Sequence, residues 1–575
     1  MTEYGTLEEA KYGRKRMKVM YGRENSKREQ SHGKNRIPER ICRLFVLICV
    51  MSIFLCFIKK PDTTAAKVNT AHEIRVGLKS VYADKQSITL YNTQLELGYC
   101  DGRVYRRETT VTAADGVKVT AEKGTFFTAA EGFTLPEAET AAKRLREAGA
   151  AAYAVMFSEG NAGVYLPVKE NGATKESART VCKAAAEKCG IALDKDVTEG
   201  TYLIRIDAGE RVLFADGVQG SYPQFGALEK NKDGIFAVNL GKRSYRGRIE
   251  IGRYGGKTTV TAVNVVPLED YLYGVVPCEM PASWPTEALK AQAVCARSFA
   301  LIKAGYHAET DIKRGFRIDD TEQSQVYGGV TFEQKNSSGA VDTTAWETLC
   351  YENRTVAGYY FSASGGHTEN AEDVWGFSLP FLTGVPDIYE LNPSKKPWSI
   401  TIGRDELARL LRSNGNDVGT VEKVTQEVIT ASGRVYRLRV TGSRGSVSLS
   451  TDVLRNVLKL PGTKFKVIAS GTLPDSVTVQ GAGASRKAAI HDCYVLSGSK
   501  EVRKADDETE QYVVLSADNL TNFPKTAPEE GEYLFAGMGA GHGIGMSQSG
   551  ARGMAEQGFT YREILEHYFT GISVR

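Results

Sequence analysis

The chain has 575 residues, enough for two to four domains, and its 42% hydrophobic and 25% charged content is ordinary for folded protein, which excludes wholesale disorder. Net charge is +4, but residues 1–43 hold 12 Lys/Arg against 6 Asp/Glu, while the rest hold 61 against 63. The main body therefore lacks the basic balance of a dedicated nucleic-acid binder, and no nucleic-acid partner is expected.

Residues 1–40 read as a basic tail. Leu44 to Ile58 follows as 15 residues without a charge, bracketed by Arg43 and Lys59–Lys60. As a helix it covers roughly 22 Å of a hydrocarbon core roughly 30 Å thick. Ile41 and Cys42 extend it if Arg43 snorkels. A cleaved signal peptide competes, but more than 40 residues precede the run and Lys59–Lys60–Pro61–Asp62 is a poor cleavage site. A transmembrane signal anchor over 41–58 is the better reading. Basic residues before it place the N-terminus in the cytoplasm and the C-terminal domains outside, in a single-pass protein of the cell membrane. Residues 59–73 read as a tether. Cys42, Cys49 and Cys56 lie in or beside the run, and the other seven cysteines are too sparse for a disulfide scaffold. They show no CxxC pair or zinc-finger spacing. Buried thiols are the simpler reading, with one disulfide left open.

Ile74–Leu78 and Ile88–Tyr91 alternate as strands. A unit with its own rhythm follows. Thr125–Phe127 is strand-like, and Thr134, Pro136 and Glu137 open a helix that ends near Gly149, with Thr134 as N-cap and Glu137 completing a capping box. Ala152–Phe157 and Val164–Leu166 make a hairpin about Gly160–Gly163. A second helix spans about Lys175–Lys188, stopping at Gly190, and Tyr202–Ile206 is a closing strand. That β-α-β-β-α-β order over about 85 residues is ferredoxin-like. It resembles the SPOR domain, which implies binding to glycan strands of peptidoglycan stripped of stem peptides; many ferredoxin-like units bind nothing of the kind.

Beyond residue 207 strands dominate. Tyr245–Ile251 and Thr258–Val263 flank a turn at Tyr254–Gly256. Asp405–Asn414 reads as a helix, and Val435–Val440 and Val447–Leu449 as strands.

Three segments carry chemistry. In the first, Val266–Pro285 leads into an alanine-rich helix, Thr286–Leu301, whose Leu289, Ala293, Ala296 and Ala300 form a small-residue face. Glu279 sits in a turn before it, between Cys278 and Met280 and near Pro277, Pro281 and Trp284. A carboxyl desolvated there keeps its proton near neutrality, as a glycosidic general acid must. The blander alternative is a surface glutamate favouring the next helix N-terminus. Glu269 and Asp270 occupy a strand end and look structural. In the second segment, Ala357–Gly376, an aromatic strand runs into a Ser/Gly loop, carboxylates and a tryptophan. Aromatic faces beside polar groups suit sugar rings, and a core strand with a glycine turn is the alternative. In the third, Gly537–Ala551, five glycines fall at alternate positions from 537 to 545 without the lysine of a P-loop. Such spacing lets backbone approach a ligand or another strand, with His542 in its middle.

PLEDYLYGVVPCEMPASWPTEALKAQAVCARS, YYFSASGGHTENAEDVWG and GAGHGIGMSQSGARGMA, in that order, resemble the SpoIID/LytB family. The likeness covers about 74–118 and 207–575, with the SPOR-like unit inserted at 119–206. It implies an α+β fold: a β-rich catalytic domain, the ferredoxin-like insertion and one N-terminal transmembrane helix. It further implies a membrane-anchored lytic transglycosylase that cleaves MurNAc–GlcNAc bonds of denuded peptidoglycan strands to 1,6-anhydro products in sporulation and engulfment. Glu279 is then the acid and later the base. Tyr360, Ser362, Ser364, His367, Glu369, Trp375, His542 and Gln548 are the substrate-binding candidates. The alternative is a non-catalytic cell-wall binding protein or amidase enhancer, and other cell-wall hydrolases are possible partners in both cases. Zinc-containing members carry a His and two Cys shortly before the stretch that here reads Gln325–Val326–Tyr327–Gly328–Gly329. Ile318 and Ser324 stand at the cysteine positions and His307 alone cannot hold zinc, so neither metal nor cofactor is expected.

Overall fold

The computed structural model describes residues 73–575 apart from 102–103, 159–160, 210, 216–221, 305–314, 392–396, 471–475, 482–483, 490–493, 497–501, 505–510, 516–519 and 525–526. The expected tail, the anchor at 41–58, the tether up to residue 72, His307 and Cys493 lie outside the described residues. Among the described residues no helix is long and apolar enough to cross a membrane.

The fold is mixed α+β and strand-rich. From the start of the described chain run β1 (Glu73–Gly77), β2 (Ser87–Leu90), β3 (Gln94–Asp101) and β4 (Val104–Thr112). Next come β5 (Val117–Phe133), α1 (Leu135–Glu147), β6 (Tyr153–Ser158), β7 (Asn161–Pro167), α2 (Lys175–Cys189), β8 (Leu193–Ala208) and β9 (Arg211–Ala215). Then β10 (Gln224–Ala227), β11 (Arg248–Gly252) and β12 (Thr261–Pro267) lead into helices α3 (Leu268–Glu279) and α4 (Thr286–Ala304), with β13 (Ile318–Asp319) beyond. The main sheet has seven strands in the order β13-β1-β12-β11-β10-β3-β4. The hairpin of β11 and β12 turns at Tyr254–Gly256, where the sequence places it.

The middle unit follows the expected element order, and β8-β5-β7-β6 are neighbours in its sheet. A further strand changes the result. β9 pairs parallel with β6 and antiparallel with β8, and β8 also pairs with β5, so the sheet closes into a five-stranded barrel. Phe126, Val155, Tyr165, Leu203 and Phe214, one residue from each of the five strands, pack together in the interior. The opposite faces of these strands carry α1 and α2. Leu135, Ala138, Ala142 and Leu145 are buried beneath α1, and Thr134 and Glu137 close the capping box with a 2.8 Å bond from Thr134 N to Glu137 Oε2. Gly190 ends α2 in the left-handed conformation at φ +66°. β5 is 17 residues long and also pairs with β2, so the barrel's sheet runs to Ala215 and takes a strand from the preceding segment.

Helix α4 is buried on nearly all sides rather than on one small-residue face. Its surroundings explain this: α3, helix Lys335–Thr343 and the two C-terminal helices Gln548–Glu556 and Tyr561–Tyr568 all pack on it. Arg297 of α4 is fully buried and grips both carboxylate oxygens of Glu269 at 2.7 Å, which ties α3 to α4. A further layer with its own core contains helix Arg404–Ser413, the sheet of Val421–Ile429, Val435–Gly442 and Gly445–Ser450, and the antiparallel strands Trp398–Gly403, Glu532–Gly537 and Phe465–Ala469. Glu532–Gly537 feeds directly into the alternating glycines.

Candidate active site

Glu279 is the last residue of α3, and not part of a free turn as the sequence suggested. Pro267 enters α3 directly from β12, so Glu269 and Asp270 lie in the first helical turn rather than at a strand end. Pro277 is tolerated in the last turn, and Met280 leaves the helix in an extended conformation. The Glu279 side chain is partly exposed. Its Oε1 accepts the Val326 N–H at 2.7 Å.

That bond depends on a glycine two strides upstream. A Cβ on Gly274 would stand 2.9 Å from Gly329 N and 2.7 Å from the Tyr327 ring, so only glycine lets the 325–329 loop lie against α3. Gly328 N donates to the Gly274 carbonyl at 3.1 Å and fixes the approach.

Two further segments complete the surroundings. Tyr360–Phe361 and Met546–Ser547 pair as short parallel strands. The Tyr360 hydroxyl faces the Glu279 carboxyl. Gln548, first residue of its helix, donates to the Glu279 carbonyl at 3.1 Å and to Gln292 Oε1 at 3.3 Å. Burial lifts the Glu279 carboxyl above the ordinary carboxylate range; Val326 N–H, Tyr360 and Gln548 pull it back, and Glu322 adds to the lift. Burial also pushes the neighbouring Cys278 thiol up to about 11, which keeps it neutral. The arrangement is a carboxyl lifted above the ordinary carboxylate range, partly open to solvent and met by the hydrogen-bonding groups of Val326, Tyr360 and Gln548.

The other expected site residues divide by strand alternation. Tyr360 turns to Glu279, while its neighbours turn elsewhere. Tyr359 meets Trp375 at 4.7 Å between ring centroids, and Trp375 stacks on Phe377. Phe361 meets the His542 ring at 5.5 Å. Both His542 nitrogens are engaged: Nδ1 accepts Ile544 N–H at 3.0 Å and Nε2 faces the Tyr360 carbonyl at 3.1 Å. Burial and the nearby Arg455 and Arg434 lower its pKa to about 4, so the ring is neutral and acts as a brace between the two strands. The alternating glycines do the same work with backbone. At Gly541, φ +101°, an added Cβ would stand 2.8 Å from the Phe361 Cβ, so the close approach is to another strand.

Ser364 and Glu369 lie in a second, buried polar cluster. Ser364 donates through N and Oγ to Glu390 and accepts from Arg434 at its carbonyl. Glu369 is 1% exposed and accepts from Thr430 and Ser432 hydroxyls at 2.6 Å and from Asn370 N at 3.0 Å. His367 is partly exposed, with Nδ1 at 2.6 Å from the Thr368 carbonyl, and Ser362 is partly exposed with its carbonyl holding Ser549. Of two surface hollows, one of about 420 Å³ lies beside Phe133, Arg144 and Ile191, and one of about 390 Å³ beside Glu372, Asp373 and Tyr436 is also lined by Thr430, the partner of Glu369.

Gln325, Val326 and Tyr271 were not anticipated. The signal was present in Gln325–Gly329: two glycines after an aromatic demand a close neighbour, and Gly274 in the first segment is its counterpart. Ile318 is buried in β13, and Ser324 accepts Asp319 N–H at 3.2 Å, so both positions serve the fold. Among the described residues no three His, Cys, Asp or Glu side chains gather as metal ligands. Cys182, Cys189, Cys278, Cys295 and Cys350 are free thiols.

The family profile described as "SpoIID: Stage II sporulation protein" matches residues 256–351, a span that holds both Glu279 and Gln325. An uncharacterised protein of Brachyspira hyodysenteriae is 30% identical over 317 residues, covering 55% of this chain and 68% of that protein. The amidase enhancer of Bacillus subtilis is 28% identical over 385 residues, 65% of this chain and 50% of the enhancer, so half of that relative has no counterpart in the match. Stage II sporulation protein D of the same organism is 27% identical over 329 residues, 55% of this chain and 77% of that protein.

Proposed function

The chain belongs to the SpoIID/LytB family, and from that premise we propose that it is a lytic transglycosylase cleaving MurNAc–GlcNAc bonds of denuded peptidoglycan strands in sporulation. The observation that carries this reading is the Glu279 carboxyl, lifted by burial yet reachable at the end of α3. Protonated Glu279 gives its proton to the glycosidic oxygen as the C1–O bond of MurNAc breaks. The carboxylate that remains takes the proton of the MurNAc C6 hydroxyl as O6 bonds C1. Glu279 ends protonated, the sugar ends as a 1,6-anhydro ring, and water takes no part. Val326 N–H and the Tyr360 hydroxyl stabilise the carboxylate between the two steps. One carboxyl group suffices for this sequence, in contrast with hydrolases that need a second to activate water. Tyr360 and Gln548 are the sugar-contacting groups proposed beside it.

The sequence adds a membrane anchor at 41–58 and a glycan-binding role for the SPOR-like unit. The β8-β5-β7-β6 neighbourhood supports the latter. The packed interior around Phe126 and Phe214 means that any glycan contact uses the barrel's outside. The likeness to an amidase enhancer favours a second reading, a wall-binding partner of another hydrolase. Purified glycan strands, with and without stem peptides, incubated in ¹⁸O-labelled water separate the two. The lyase reading expects unlabelled 1,6-anhydro ends from denuded strands; ¹⁸O-labelled reducing ends or no cleavage would overturn it.

A further inference from the structure

Gln325 is fully buried, in the loop that reaches Glu279. Its Oε1 accepts from the Tyr271 hydroxyl at 3.1 Å. Its Nε2 lies 3.1 Å from the Tyr360 hydroxyl oxygen and 3.3 Å from the Ala296 carbonyl. Amide oxygen and nitrogen look alike, so their placement has to be argued from neighbours. Here Ala296 settles it: a backbone carbonyl can only accept, so the end of the amide facing it must be the NH2 group. The same NH2 group faces Tyr360. The Tyr360 oxygen is therefore an acceptor on its Gln325 side, which leaves its proton to point at Glu279.

We propose that Gln325 is a positioning residue that sets the direction of a hydrogen-bond chain, Tyr271 to Gln325 to Tyr360 to Glu279, so that Tyr360 always donates to the candidate acid. The inference rests on the reading of Glu279 as the proton-carrying group. It gives Tyr360 a constant role: its O–H favours the carboxylate that forms when Glu279 gives up its proton, and so keeps the leaving proton from being held too tightly. The titratable groups that face Glu279 are Tyr271 and Cys278 on α3, Glu322 on the loop after β13 and Tyr360 on its strand. Of these, Tyr360 faces the carboxyl and accepts from the Gln325 NH2 group. A residue that merely filled space would leave the titration of Glu279 unchanged when replaced by one of similar size.

The test reads that titration on the full-length protein, without reference to activity. Only a protonated carboxyl reacts readily with a water-soluble carbodiimide, so the labelling rate of Glu279 against pH, followed by peptide mass spectrometry, gives its midpoint. Tyr360→Phe and Gln325→Met should each raise the midpoint by about one pH unit, a tenfold change in the proton equilibrium. In the Tyr360→Phe background, Gln325→Met should add nothing. Gln325→Glu keeps the size but puts an acceptor where the NH2 group faced Tyr360 and Ala296, and it covers the case in which the methionine variant does not fold. Its added charge raises the midpoint in both backgrounds, and the rise should be larger when Tyr360 is present. Equal shifts in the two backgrounds, or an unmoved midpoint in Gln325→Met, would overturn the proposal. Coupled shifts in a protein that releases no anhydro sugar would instead sink the lyase reading and leave the hydrogen-bond chain standing.

Discussion

Glu279 and Glu369 look alike in the sequence, since each is a glutamate beside aromatic and small residues in a segment rich in polar groups. Their surroundings differ in one decisive respect. Glu279 ends a helix, stays partly exposed, and is met by neutral donors that leave its carboxyl free to exchange a proton. Glu369 is sealed, its oxygens bonded by Thr430, Ser432 and Asn370 N, within a cluster that also holds Arg434, Lys464, Glu390 and Asp387. Burial lifts the Asp387 and Glu390 carboxyls and pushes the Lys464 amine down to about 7, while its ammonium donates to the Gly365 carbonyl at 2.6 Å. A carboxylate saturated in this way can only brace the fold. Polar density therefore marks both regions, and access with unsaturated donors separates them.

The sharpest way to break that division is Glu369→Ala. It would leave the Arg434 guanidinium buried with less compensating charge and free the Thr430 and Ser432 hydroxyls, costing roughly 3–5 kcal/mol of stability in chemical unfolding. Loss of activity with stability intact would instead place Glu369 beside Glu279. His542 should give an acid-dependent effect of about 3 kcal/mol. Its folded pKa, about 4, lies below its ordinary value of 6.5, so the unfolded chain binds the proton first. Stability from the neutral ring is present above pH 6.5 and is lost as pH falls towards 4. Unfolding midpoints of wild type and His542→Gln should converge over that window; a constant gap would show that the ring's protonation is not involved. Gly550→Ala drives a methyl into the Asp387 carboxylate and the Tyr568 hydroxyl and should cost about 1–3 kcal/mol, read as a lower melting temperature with Glu279 chemistry unchanged in surviving folded protein. The smallest effect belongs to Trp375→Ala. Tyr359, and not Tyr360, faces that ring, so kcat/KM on denuded glycan should stay within about threefold of wild type. A hundredfold loss would join the Trp375 surface to the Glu279 site.

Much of this was legible residue by residue. The cap at Thr134–Glu137, the stop at Gly190 and the β11–β12 hairpin follow from local chemistry and appear as read, and the helix read at Asp405–Asn414 is found one residue earlier, at Arg404–Ser413. Glu279 stood out through its apolar neighbours. Its helix did not, because Pro277 within three residues of the end argued for a turn, whereas a proline in the last turn of α3 is accommodated. Strand β9 and the barrel it closes were hidden because Arg211–Ala215 is only five residues long and, beyond its hairpin with β8, closes on β6, which is remote in sequence. The partition of Tyr359, Tyr360 and Phe361 among three neighbourhoods depends on which loop lies on each side of one short strand. Gln325 was missed for the same reason, since its partners Tyr271, Ala296 and Tyr360 come from three separate elements.

The central claim is that Glu279 alone moves the proton. Glu279→Gln keeps the side chain's size and removes that proton, so release of 1,6-anhydro sugar from denuded strands, followed by mass spectrometry, tests it most directly. The account predicts a loss of at least roughly 10²-fold in rate, with glycan binding and melting temperature little changed. Release at the wild-type rate by Glu279→Gln would contradict it.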